Sequence, residues 1–66
     1  MSIAKVIEIS AESGVSFEDA IRKGIEKAAE SVHNIKGAWV KEQKVKIQNT
    51  QIVGYRVDLK VSFVLD

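Results

Sequence analysis

The only tryptophan of this chain sits in Gly37-Ala38-Trp39-Val40, where a long β-prone segment begins. A ring that large in a small protein is core, lies between subunits, or stacks on a ligand. Tryptophan suits an interface because a wide apolar area comes with one N–H donor, so both the interface and the ligand-stacking readings stand for Trp39. Arg56, Asp58 and Lys60 alternate in the last segment. An ion-paired row explains them, and a guanidinium donating to a ligand acceptor is the functional alternative for Arg56. Lys36, Lys41, Lys44 and Lys46 make the middle of the chain locally basic. Solvated lysines commonly protect strand edges; contact with a phosphate or with coenzyme A is the alternative. Lys5 reads as a strand-edge charge, with a phosphate contact as its functional alternative.

Catalytic constellations are missing from the sequence. There is no nucleophile–histidine–carboxylate spacing, no glycine-rich phosphate loop and no cluster of metal ligands, so the expectation is a protein that is not an enzyme. With no cysteine and His33 as the only histidine, neither a disulfide nor a zinc site within one chain can form. Glu8, Glu12, Asp58 and Asp66 are scattered. They would meet on a calcium ion, which takes about six to eight oxygens, only across symmetric subunits. No metal ligand is assigned.

Sixty-six residues make one domain, spanning 1–66. A chain of this size buries only about 60 % of its unfolded surface, against an ordering cost of about 1.5 kcal/mol per residue. Small chains compensate with disulfides, a metal or partner subunits, and self-association is the device left here. Ten basic against nine acidic residues lack the concentrated basic excess of a nucleic-acid footprint. No apolar run approaches the roughly 20 residues of a membrane span, and the first residues have no signal-peptide pattern. The expectation is a cytoplasmic protein without nucleic-acid or membrane partners.

The elements that hold these side chains follow from periodicity. Ile3 to Ser10 is β-branched and short and reads as a strand, with residues 11–14 as a loop. Ser16 is a helix N-cap, with Asp19 three residues on in a capping-box pattern. Phe17, Ile21, Ile25, Ala28 and Val32 form one stripe, predicting a helix from about Phe17 to Val32. Gly24 beside that stripe is read as a point of close approach to a sheet. Ile35 to Ile47 is a second strand, residues 48–51 a polar turn, and Ile52 to Leu65 a third. In the third strand Tyr55, Val57, Leu59, Val61, Phe63 and Leu65 take one face, and Arg56, Asp58, Lys60 and Ser62 the other. The fold class is α+β: a β-α-β-β chain whose three-stranded antiparallel sheet packs on one helix. A 16-residue helix is about 24 Å long and a 14-residue strand about 46 Å. The helix therefore covers about half of the hairpin's apolar face, and the remainder calls for a second subunit.

Lys5-Val6-Ile7-Glu8, the helix start from Ser16 to Ala20, Asn34-Ile35, Val40 to Gln43 and Tyr55 to Phe63 occur in the order and at the spacing of the dodecins. The chain resembles that family over nearly its whole length. The resemblance implies a subunit of a hollow homo-dodecamer that binds or stores flavin, riboflavin or FMN, without catalysis. It also implies an altered pocket. Aligned through Val40-Lys41-Glu42-Gln43, the flavin-stacking tryptophan of the family falls on Gly37, and the glutamine that follows the third-strand tyrosine falls on Arg56. Trp39, two residues along on the same face, would then reach over the vacant glycine, with Arg56 as a polar contact. The alternatives are a structural dodecamer without flavin, or a shell that binds another ligand such as coenzyme A or calcium.

Overall fold

β-Branched and aromatic residues at alternate positions zip the chain into one antiparallel sheet. The computed structural model describes residues 3–65. Strand β1 is Ile3–Ser13, helix α1 is Phe17–Ala28, β2 is Ile35–Gln48 and β3 is Gln51–Leu65. The sheet order β1-β3-β2 puts the last strand in the centre and leaves two edges. The β-α-β-β arrangement expected from periodicity is the one observed. No helix among the described residues is long and apolar enough to cross a membrane.

One face of β3 makes the core. Val57, Leu59, Val61 and Phe63 are buried there with Ala20 and Ala28 of the helix, and Ile7, Ile9, Ala11, Phe17, Ile21, Ile25 and Ile35 close around them. Gly24 is the point of closest approach. A Cβ there would lie 3.1 Å from that of Ala11 and 3.4 Å from a methyl of Leu59. Phe17 meets Tyr55 edge-to-face, with ring centroids 5.2 Å apart.

Two boundaries differ from the periodicity by more than one residue. β1 runs on through Ser13 because Ala11 packs beneath Gly24 and Ser13 docks the start of the helix. The Ser13 hydroxyl donates to Asp19 Oδ2 at 2.6 Å and accepts from the Val15 N–H at 2.9 Å. Ser16 caps the helix as expected, accepting from the Asp19 N–H at 3.0 Å. The capping box closes indirectly, however: the Asp19 carboxylate takes the Ser13 hydroxyl, which in turn faces the Ser16 N–H at 3.5 Å. That hydrogen bond, reinforced by Lys23 at 3.1 Å, holds the Asp19 carboxyl below its ordinary 3.8. Its contribution is therefore present at neutral pH and is lost as acidification carries the carboxyl through that lowered value. The helix stops at Ala28 and not at Val32. Glu30 and Ser31 make i→i−3 bonds to Lys27 and Ala28, a tightened last turn. Asn34, at φ 62°, then swings the chain into β2, and its carbonyl accepts from the Val64 N–H at 3.1 Å. The β2–β3 hairpin closes at Asn49-Thr50, both at positive φ as a tight two-residue turn requires.

At 12 residues the helix is only about 18 Å long. It lies on β1 and β3, leaving the same face of β2 bare beyond Ile35. The far half of the hairpin projects without cover, and Val40, Ile47, Ile52 and Val53 are exposed.

Candidate ligand-binding site

The opposite face of the sheet carries the polar residues, and the strand register assembles them in rows. Gly37 stands across from Ser62, which is across from Val6. Trp39 stands across from Lys60, which is across from Glu8. Glu42 faces Asp58 and then Ser10, and Lys44 faces Arg56 and then Glu12. A shift of register between Val40 and Glu42 makes Lys41 the extra residue of a β-bulge.

That bulge decides where the lysine goes. Lys41 extends over the central strand to Glu8 of the far edge, Nζ to Oε1 2.9 Å, and the contact raises the ammonium pKa above its ordinary value. Asp58, in the middle, accepts the Ser10 hydroxyl at 2.6 Å, and this bond, helped by Arg56, keeps its carboxyl below 3.8. Arg56 Nε is 3.6 Å from Asp58. These pairs are solvent-exposed and fix geometry more than they add stability.

Trp39 is half exposed, at 51 %. The Lys60 ammonium lies 5.9 Å from its ring centroid, within cation–π range. Beside the ring the sheet is low. Gly37 has no side chain, and the nearest atom to a Cβ built there is Ser62 Oγ at 3.5 Å. The Ser62 hydroxyl donates to the Gly37 carbonyl at 3.2 Å. The result is a flat aromatic wall, a glycine-wide notch, and a cation and a hydroxyl at its rim. Such an arrangement can stack a planar ligand and supply donors to its edge.

The residues singled out in the sequence are only partly brought together. Trp39 and Gly37 share a face and are neighbours, as strand alternation required. Arg56 lies on the same face, but four positions along β3 from Lys60, roughly 13 Å along the strand, and Asp58 stands between. Lys5 pairs with Phe63, which places it on the helix side of the sheet. It cannot reach a ligand held at Trp39 of its own chain. In the sequence Lys60 and Ser62 stand out only as members of an alternating row. Their partnership with Trp39 and Gly37 needs the register, which sequence alone does not give. The bulge did leave a trace: the apolar inward positions change parity between Val40 and Val45, and an inserted residue is what such a change demands.

The dodecin family model matches residues 3–66. The chain is 38 % identical over 63 residues to the calcium dodecin of Mycobacterium tuberculosis, covering 96 % of this chain and 89 % of that one. Among solved structures, a dodecin from Streptomyces davaonensis superposes with a TM-score of 0.91 at 32 % identity, covering 98 % of this chain and 96 % of that one. The Mycobacterium tuberculosis calcium dodecin, described as a calcium-chelating antigen with a novel calcium-binding site, superposes with a TM-score of 0.83 at 35 % identity, covering 98 % and 93 %. The fold and the order of motifs read from the sequence thus meet their match, and the chain belongs to the dodecin family.

Proposed function

We propose that this protein is the single-domain subunit of a homo-oligomer, a dodecamer on the family pattern, that binds and stores a flavin, riboflavin or FMN, without catalysis. The observation that carries the ligand is Trp39: a half-exposed ring, the only tryptophan, standing over the notch at Gly37. An exposed indole with a vacant position beside it suits a stacked isoalloxazine, with Lys60 and Ser62 at hand for its polar edge. Arg56 is too far along its own strand to serve the same ring, so its part is played toward another portion of the ligand or a ligand held by another copy.

Self-association is supported by shape. The radius of gyration is 13.6 Å and the extents are 52 × 19 × 13 Å, where a compact chain of this length has a radius of about 11 Å. The excess is the bare hairpin with Ile47, Ile52 and Val53 exposed, a surface that monomers seldom leave open.

Calcium is the second reading, favoured by the calcium dodecin at 38 % identity. Among the described residues no three Asp, Glu or His side chains gather where they could hold a metal ion. Glu8 is engaged by Lys41 and Asp58 by Ser10. Calcium would have to draw oxygens from several copies.

Light scattering and a thermal-shift panel of riboflavin, FMN, coenzyme A and calcium test these readings together. The expected results are a mass many times the 7.3 kDa chain and a transition raised by both flavins. Ligand at about 100 times its Kd adds about 2.7 kcal/mol, a shift of several degrees. A stable monomer would sink the assembly. A rise with calcium alone, reversed by a chelator, would replace flavin with the second reading, and no response at all would leave a structural shell.

A further inference from the structure

We propose that Lys41, by holding Glu8, keeps the Lys60 ammonium unneutralised beside Trp39, and that the notch at Gly37 therefore favours planar ligands whose ring carries negative charge. This selectivity rests on Trp39 being the stacking surface proposed above. Lys60 stands on the central strand, directly across from Trp39 of β2 and from Glu8 of β1. Opposite charges facing each other across an antiparallel pair attract, so Glu8 is the natural counter-ion of Lys60. Lys41 takes it instead. As the extra residue of the bulge, Lys41 reaches across β3 and meets Glu8 Oε1 at 2.9 Å. Among the described residues Lys60 has no ion-pair partner, and its ammonium lies 5.9 Å from the Trp39 ring centroid.

The other charges on this face leave Lys60 as it is. Asp58 is two residues along β3, but it accepts the Ser10 hydroxyl at 2.6 Å and faces Arg56 at 3.6 Å. Glu42 stands across from Asp58, one row away from Trp39. On the other side, Val6, Ser62 and Gly37 make an uncharged row. A ring stacked over Gly37 therefore meets one cation at its edge, together with the Ser62 hydroxyl. An ammonium binds an ionised acceptor more strongly than a neutral one, and Lys60 is half-buried, where charges are screened less than in open solvent. Without Lys41, Glu8 would turn to Lys60 and draw it off the ring. Lys41 is thus a positioning residue, acting through Glu8 on Lys60.

Two probes separate charge from stacking. Riboflavin is neutral at neutral pH. In 8-hydroxyriboflavin a hydroxyl replaces a ring methyl, and the ring is then a delocalised anion at the same pH. Each is titrated by calorimetry into the assembled protein at low ionic strength. The wild-type protein should bind the anion about 10-fold more tightly, the margin between hydrogen bonds to charged and to neutral groups. Lys60→Gln should make the two affinities equal. Lys41→Gln should shrink the preference in the same way, and Lys41→Gln combined with Glu8→Gln should restore it. Lys44→Gln, which removes the same charge from farther along β2, should leave the preference unchanged. A merely structural role for Lys41 would weaken both rings together without altering their ratio. Circular dichroism and elution volume identify variants that retain the native assembly. Equal affinities in the wild-type protein would overturn the selectivity while leaving stacking at Trp39 in place. So would a full preference in Lys41→Gln, or a double variant that fails to restore it. Binding of neither ring would overturn the stacking reading and the selectivity with it.

Discussion

Leu59→Ala should destabilise the protein by about 2–5 kcal/mol, read as a fall in the urea midpoint at fixed subunit concentration. Leu59 is 1 % exposed at the centre of the middle strand, paired with Ile9 on one side and Val40 on the other. One of its methyls reaches the position where Gly24 lacks a Cβ. Truncation removes the side chain that the helix was brought close to meet, and rigid neighbours on both strands limit collapse into the space. Domains are stable by roughly 0.05–0.15 kcal/mol per residue, which gives this chain about 3–10 kcal/mol, so the loss is a large share of the whole. Val40→Ala is the informative companion. Val40 stands in the same row but is exposed, because α1 stops short of β2. In an isolated chain its truncation should cost well under 1 kcal/mol, as surface changes do. A cost nearer that of Leu59 would mean that a second copy covers β2.

Trp39→Ala should abolish flavin binding while the oligomer stays intact. The ring has no place in the core: the buried cluster is Ala20, Val57, Leu59 and Val61, on the other face of the sheet. The Lys60 ammonium lies 5.9 Å from its centroid, an exposed cation–π contact of about 0.5–1 kcal/mol. Folding therefore tolerates its removal, and a stacking ligand does not. If Trp39→Ala instead dissociates the assembly and flavin affinity follows the dissociation, the ring is an interface residue and the ligand reading fails. Riboflavin fluorescence and elution volume, measured on the same samples, separate the two outcomes.

Alternation along β3 was legible because its inward face is covered from Val57 to Phe63. Val57, Leu59, Val61 and Phe63 must all be apolar, and period 2 shows without interruption. The stripe from Phe17 and the cap at Ser16 were legible for the same reason, with local chemistry matched to a buried face. The end of α1 was not, since Val32 keeps the apolar stripe going after the backbone has tightened at residues 29–31. Nor was the end of β1: Ser13 reads as a loop residue by composition, yet its hydroxyl satisfies the helix start from inside the strand. At the site, Trp39 and Gly37 followed from alternation and a family register. The bulge at Lys41 reverses the phase of β2, and it alone explains why Lys41 crosses to Glu8 and why Lys44 meets Arg56. Composition treated all these lysines alike; the register gives each a different partner.

Because Trp39 is the only tryptophan, its emission reports events at the notch and nowhere else. A riboflavin titration followed at both the tryptophan and the flavin emission is the most direct measurement of the account. Stacking at Trp39 predicts that the two emissions fall together to a shared, saturable end point. Flavin quenched while the tryptophan emission holds constant, or neither emission changed by excess protein or ligand, would contradict it.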